Sequence, residues 1–424
     1  MRRATGLSKN ESASIVLSPK NVEFIVNKLS RMRGAALKLG QMLSIQDQNM
    51  IPPELENVLL RVQNSANYMP DSQLQARREA CTVLASELGE DWREKFDEFD
   101  LIPIAAASIG QVHRATLHNG RRVAVKVQYP GVASSIESDL TNLRTLVLFS
   151  TFLPKGMYLD NTIRVARLEL GWECDYVREA DCMERFSKII EGSDFFDVPG
   201  VVRELSTRQV ITTDFVEGVP LGKVMDLSQG ARDKIGSRIL QLCLQEVLEY
   251  RFMQTDPNWS NFLYDKATDR IHLLDFGAAR EFDKKFTDAY IEVLYASATQ
   301  DREACIKWST TLGFLTGLES ETMRNAHVNS LLTVGTPFRV DGPDLYDFGS
   351  QDITGRVRSE IPVMLRERLT PPPDETYSLH RKLSGAFLLC TKLGSRVEAK
   401  RMLQDCWEGY QKAAKALAAD VSAN

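Results

Sequence analysis

The chain of 424 residues is 43% hydrophobic and 26% charged, the balance of an ordinary globular protein of two or three domains. Its net charge of -5, with no basic stripe, gives no sign of broad nucleic-acid binding. Seven cysteines without a C-x-x-C pair argue for reduced thiols and against a disulfide framework or zinc site, and the nearest approach to a membrane-spanning run, Leu146–Leu153, is far too short.

The opening Met1-Arg2-Arg3 has no apolar signal core, so a soluble protein, or a piece whose targeting segment lies upstream, is expected. From Ser18 to about Asn64 the pattern is helical: Val22, Ile25, Val26, Leu29 and Met32 recur at helical spacing, with Ser18 or Asn21 as a cap. Lys38 and Gln41 are three apart and share a helix face, and Gly40 between them would let another backbone come close. Taken alone, Lys38 reads as a solvated surface lysine. Ile51-Pro52-Pro53 ends this helix and starts another, and Gln73–Leu88 repeats the helical period. Residues 1–98 are therefore expected to form an N-terminal helical extension.

From Phe99 the period becomes that of strands. Ile104 to Val112 leads into a strand, His118-Asn119-Gly120 is a strong hairpin turn, and Val123-Ala124-Val125-Lys126 returns. A kinase keeps V-A-I-K on such a strand, the lysine holding the α- and β-phosphates. Laid over the pattern G-x-G-x-x-G-x-V one hairpin earlier, Ala105 and Ala107 take the first two glycine places, Gly110 the third and Val112 the valine. Alanine resists positive φ and blocks the closest approach to phosphate, so nucleotide binding is expected with phosphate placement constrained. Without downstream support the stretch would be a plain hairpin with an Ala-rich entry.

A helix-rich insert follows Pro130-Gly131. Val132–Leu153 reads as one helix, and after Pro154-Lys155-Gly156 a second long helix runs from about Asn161 to Ile190. Its acids include Glu169, Glu173, Asp175 and Glu179; one is expected to pair with Lys126, and position on the helix favours Glu179, while exposed acids are mostly just solvated. Val198–Val202 and Gln209–Asp214 read as strands. Thr212 to Gly218 looks like the last of them entering a hinge, where the backbone near Asp214 and Val216 would meet adenine. Leu227–Tyr250 is a helix with core positions Ile239, Leu242, Leu244, Val247 and Leu248.

The stretch Phe252–Gly277 carries the chemistry. Asp256 and Asn261 form D-x-x-x-x-N, the second half of the kinase catalytic-loop pattern, and Asp275-Phe276-Gly277 form D-F-G after a short apolar strand. A hard Mg²⁺ ion takes oxygen ligands, which Asn261 and Asp275 supply, while Asp256 would orient or deprotonate an acceptor. The two motifs at this spacing are far more specific than D-F-G alone; the bland reading is two acidic turns closing a hairpin. Gln254-Thr255 stand where H-R would precede the Asp, and no A-P-E follows before the helical pattern Phe286–Ala298. An ordinary protein kinase is disfavoured on that ground. The remainder to Ala419 is helical with turns at Gly335-Thr336-Pro337, Gly342-Pro343 and Pro371-Pro372-Pro373, and the isolated His272, His327 and His380 read as structural.

With these residues in hand, the sequence resembles the UbiB family of atypical protein-kinase-like proteins, in the mitochondrial branch that supports coenzyme Q (ubiquinone) biosynthesis. The resemblance runs from about Leu17 to about Tyr410. It rests on Lys38-Leu39-Gly40-Gln41 (K-x-G-Q), Ala105-Ala106-Ala107-Ser108 (the alanine-rich loop), Glu173-Cys174-Asp175 (E-x-D), the αC glutamate at Glu179, and Asp256, Asn261 and Asp275.

The resemblance implies an α+β, kinase-like two-lobe fold: the extension 1–98, an antiparallel N-lobe with helical insert over 99–217, and a helical C-lobe over 218–424. It implies that the K-x-G-Q helix lies over the nucleotide site, with Lys38 and Gln41 facing Glu173 and Asp175 and shutting out protein substrates. It implies ATP or ADP with Mg²⁺, bound by Ala105, Ala106, Ala107, Ser108, Lys126, Asp214, Val216, Asn261 and Asp275. The expected activity is that of an ATPase or small-molecule phosphotransferase using Asp256, Lys126 and Glu179. The expected partners are a prenylated phenol or quinone lipid, the matrix face of the mitochondrial inner membrane, and coenzyme Q biosynthesis proteins; a homodimer is allowed. The alternative is a nucleotide-gated lipid-binding chaperone or assembly factor. The complete set of Lys126, Asp256, Asn261 and Asp275 favours chemistry.

Overall fold

A computed structural model of the chain describes residues 73–107, 109–148 and 158–423; the helices expected before Gln73, with Lys38 and Gln41, and also Ser108, lie outside the described residues. The elements run α1 (Gln73–Leu88), β1 (Glu98–Phe99), β2 (Ala105–Ala106), β3 (Gly110–Thr116), β4 (Arg122–Gln128), α2 (Val132–Leu148), α3 (Leu159–Glu173), α4 (Tyr176–Ile189), β5 (Phe196–Asp197), β6 (Val210–Asp214) and β7 (Val219–Pro220). Then come α5 (Gln229–Leu248), β8 (Phe252–Met253), β9 (Phe262–Asp265), β10 (Arg270–Leu273), β11 (Arg280–Glu281), α6 (Lys284–Ala298), α7 (Arg302–Leu312), α8 (Glu321–Val334), β12 (Tyr346–Asp347), α9 (Ile353–Glu367), α10 (Asp374–Leu393), β13 (Arg396–Val397) and α11 (Ala399–Ala423). The chain divides into two units: Met1–Pro154, Tyr158–Asp181 and Gly200–Phe215 make the first, and Lys155–Met157, Cys182–Pro199 and Val216–Asn424 the second.

The first unit is built on an antiparallel sheet in the order β1-β3-β4-β6, with β2 on β3. The turn between β3 and β4 is the one the sequence marks: Gly120 has φ +78° and donates its N–H to the Leu117 carbonyl. In β4 the two-residue period sends Val123, Val125 and Val127 to one face, where they are fully buried with Ala80, Val83 and Leu84 of α1, and with Trp92 and Phe96. Each such valine contributes roughly 2 kcal/mol of burial. The same alternation puts Ala124 and Lys126 on the opposite face, so the core side of β4 fixes where its lysine goes.

Where a single helix from Asn161 to Ile190 was expected, the structure has two, α3 and α4, broken at Cys174-Asp175. The cause is hydrogen bonding at the break, most of it to residues distant in sequence. The Cys174 carbonyl accepts from Gln128 Nε2 at 3.1 Å, the Tyr176 N–H turns to the Arg208 carbonyl, and the Asp175 carboxylate accepts from the Arg178 N–H at 3.1 Å as a cap would. The expected strand at Val198–Val202 is also displaced: the ladder residues are Phe196–Asp197, and Val201 makes one isolated bridge to Thr213.

The second unit has a small sheet, β5-β10-β9-β7, a two-strand ladder β8–β11, and the long helices. Helix α5 starts at the Ser228 cap and buries Ile235, Ile239, Leu240, Leu242, Leu244 and Val247. Asp283, Asp301 and Ser320 cap α6, α7 and α8 in the same way. The hairpin β9–β10 pairs Phe262 with Leu273 and Asp265 with Arg270, so its open end presents Asn261 and Leu274 side by side.

Candidate functional site

Lys126 stands on the face of β4 opposite the valine core. Its Nζ meets both carboxylate oxygens of Glu179, at 2.9 and 3.0 Å, and lies 5.0 Å from the centroid of the Tyr176 ring. Glu179 is 1% exposed and Lys126 keeps 17% of its side chain open. Of the four acids weighed from the sequence, Glu179 is thus the one on Lys126. The helix break makes this geometry, because it starts α4 one turn before Glu179. Glu173 and Asp175 stand on either side of the break and are half-buried. Cys174 between them is inert: burial first, and the Glu173 charge second, push its thiol up to about 12.

The alanine-rich stretch is a tight antiparallel return rather than an open loop. Ala105 pairs with Val112 and Ala106 with Gln111, and the Ala107 N–H donates to the Gly110 carbonyl at 2.8 Å. None of the three alanines has positive φ. Gly110, the third glycine position, needs to be glycine: a Cβ there would lie 2.5 Å from the Val127 carbonyl oxygen and 3.0 Å from the Tyr176 hydroxyl. At the expected hinge, the Asp214 carboxylate is engaged by the Arg121 guanidinium and by the Gly200 N–H at 3.2 Å. The Phe215 N–H donates to the Arg122 carbonyl. Val216 begins the second unit's last segment.

In the second unit the D-x-x-x-x-N pair closes on itself. Asn261 Nδ2 donates to Asp256 Oδ2 at 2.8 Å, and the Asn258 N–H reaches Asp256 Oδ1 at 3.3 Å. A carboxylate only accepts, so the amide nitrogen must face it, and the Asn261 amide oxygen is the atom available to a cation. The Leu274 N–H donates to the Asn261 carbonyl at 3.0 Å, which places Asn261 against the residue before Asp275. Asp275 is half-buried and turns Oδ1 back onto the Gly277 N–H at 3.0 Å. One amide and one carboxylate, both hard oxygen donors, suit Mg²⁺, which takes a few protein oxygens and fills its octahedron with phosphate and water. Phe276 is fully buried, 5.0 Å ring to ring from Phe186 of α4, which also lies 6.2 Å from Phe252. The sequence reading passed over Phe186; its signal was an aromatic on the buried stripe of α4. Among the described residues no cluster of three or more His, Cys, Asp or Glu could hold a metal ion by itself; of the isolated histidines, His272 is bonded to Asp197 and His327 to Ser309, while His380 lies 6.0 Å ring to ring from Phe314.

Residues 61–309 match the ABC1 atypical kinase-like domain. The chain is 52% identical over 411 residues to the mitochondrial atypical kinase COQ8 of Schizosaccharomyces pombe, covering 97% of this chain and 66% of that protein. It is 49% identical over 392 residues to the mitochondrial COQ8 of Saccharomyces cerevisiae, covering 92% and 77%. It is 49% identical over 399 residues to the mitochondrial COQ8B of Danio rerio, covering 94% and 63%. The chain therefore spans about two thirds or less of the length of the fission-yeast and fish relatives. In three dimensions it is similar to the Mycobacterium tuberculosis protein Rv3197, solved with erythromycin, at a TM-score of 0.60 and 24% identity over 93% of this chain and 97% of that one, which is a likeness of fold.

Proposed function

This chain belongs to the ABC1 family of atypical kinase-like proteins, in its mitochondrial COQ8 branch, and on that footing we propose that it binds Mg²⁺-nucleotide and acts as an ATPase or small-molecule phosphotransferase in support of coenzyme Q biosynthesis. The observation that carries the reading is the Asp256–Asn261 hydrogen bond beside Asp275, and the Lys126–Glu179 pair between β4 and α4 supports it separately. Lys126 neutralises phosphate charge and is held by Glu179. Asn261 and Asp275 would hold the metal, which supplies charge stabilisation on the transferring phosphoryl group. Asp256, steadied by Asn261, orients the acceptor hydroxyl and takes its proton as a P–O bond forms to the γ-phosphorus and the bond to the β,γ-bridging oxygen breaks. The acceptor is water or a prenylated phenol, and ADP leaves. The K-x-G-Q residues Lys38 and Gln41 would, on the family resemblance, keep protein substrates out, and the work is done at the matrix face of the inner membrane beside other coenzyme Q biosynthesis proteins.

A second reading treats nucleotide as a conformational ligand of a lipid-binding assembly factor. The alanines at 105 and 107, where phosphate-cradling glycines would sit, favour it. ATP turnover measured with and without membranes and a prenylated phenol, for wild type and Asp275→Asn, separates the two. Turnover lost in Asp275→Asn supports chemistry. Mg²⁺-dependent nucleotide binding with no turnover under any condition replaces it with the second reading.

A further inference from the structure

Helix α10 lies beyond the matched domain, which ends at residue 309, yet three of its residues close on the loop that carries Asp256. Lys382 is 4% exposed and pairs at 3.0 Å with Glu246 of α5, which is fully buried. The same Nζ donates to the Gln254 carbonyl at 2.6 Å and to Gln254 Oε1 at 2.7 Å, while the Gln254 N–H donates to Glu246 Oε1 at 3.1 Å. A buried ion pair from two helices thus takes both backbone groups of one loop residue. Arg381, 3% exposed, reaches the Thr255 carbonyl and hydroxyl, each at 3.4 Å, and that hydroxyl donates to the Ala278 carbonyl at 2.7 Å, just past D-F-G. One turn on, Gly385 sits against Pro257 so closely that any Cβ would overlap the proline ring. At the other end of α10, Arg280 donates to the Asp374 carbonyl and to Ser378 Oγ, both at 3.2 Å.

We infer that α10 positions the catalytic carboxylate: Arg381, Lys382 and Gly385 clamp Gln254, Thr255 and Pro257, and so set where Asp256 stands. The inference rests on the reading of Asp256 as the group that faces the acceptor. A buried ion pair is weak as a stability device, since apolar side chains of similar volume replace it at little cost. What it supplies here is direction, through charge-assisted bonds to the backbone on one side of Asp256 and a steric stop on the other. Gln254-Thr255 stand where a kinase loop carries H-R in line; the basic groups come instead from a helix more than a hundred residues away. Arg381, Lys382 and Gly385 are positioning residues, since none bonds to Asp256 itself.

The test uses the whole chain and two variants with different risks to folding. Gly385→Ala pushes on Pro257 without changing a charge, and the double variant Glu246→Leu with Lys382→Met replaces the ion pair by apolar volume. For each folded variant we expect kcat for ATP turnover at least tenfold lower, KM for nucleotide within twofold of wild type, and faster amide exchange over residues 252–262 than over the rest of the second unit. Wild-type kcat and wild-type exchange in that stretch in either folded variant would overturn the clamp, as would parallel losses of kcat, KM and melting temperature with no local change in exchange. If the wild-type protein turns over no ATP while exchange over 252–262 still rises in the variants, the clamp stands and the proposed function falls.

Discussion

Glu179 is buried to 1% exposure, and the Lys126 ammonium meets both of its oxygens there. Removing one member of such a pair is costlier than never having had it, since the other charge is left half out of water. Glu179→Ala should therefore lose about 3 kcal/mol of stability and raise the nucleotide KM more than tenfold, read by chemical unfolding and nucleotide titration. An unchanged KM would separate Lys126 from the phosphates. A different residue sets a pH limit. His327 accepts or donates at Ser309 Oγ, 2.9 Å away, and burial first, then the charge of Arg368, lowers its pKa from 6.5 to about 3. Below 6.5 the unfolded chain takes a proton that the folded protein refuses until about 3, so stability is full above the unfolded value and falls as the pH drops through that window. The loss from this one group is about 2 kcal/mol at pH 5. His327→Gln should flatten the fall in melting temperature between pH 7 and pH 5; an identical slope would assign the acid sensitivity elsewhere.

At the level of elements, the amphipathic periods of α1, α5 and α6 and the hairpin of β3 and β4 were legible from spacing alone, because each buries one face along its length. The break between α3 and α4 was not. Its causes are bonds from Gln128 and Arg208, residues distant in sequence, and the segment itself has no Pro or Gly at the break. The altered phosphate loop shows the same division. Its residues were readable as Ala105, Ala106 and Ala107, but that β2 zips them onto Val112 and Gln111 follows from the sheet. Because all three already hold negative φ, Ala107→Gly does not relieve strain; it adds freedom to a closed return. The expected outcome is a shift in the ratio of ATP to ADP affinity with melting temperature lowered by no more than a few degrees. Equal affinities for both nucleotides before and after the change would detach this loop from phosphate placement.

For the molecule as a whole, what spacing could reveal was the set of motifs contiguous in sequence: Asp256 with Asn261, and Asp275 with Phe276 and Gly277. What it could not reveal was support assembled from afar, such as Phe186 under Phe276, or Arg381 and Lys382 behind Gln254 and Thr255. Cations on an amphipathic helix read as solvated until the partner that buries them is known. Nucleotide binding as proposed should register as linkage in the unfolding of the chain. A ligand that binds the folded protein alone stabilises it by about 2.7 kcal/mol at a hundred times its Kd. Mg²⁺ with ADP should therefore raise the melting temperature by several degrees, ADP with excess chelator should not, and Asp275→Asn should respond to neither. Lys126→Met should weaken the response without abolishing its dependence on Mg²⁺, because the proposed site assigns the lysine to phosphate and Asn261 and Asp275 to the metal. A shift that survives both chelation and Asp275→Asn would place the nucleotide away from D-F-G, and the reading of Asn261 and Asp275 as metal ligands would fall with it.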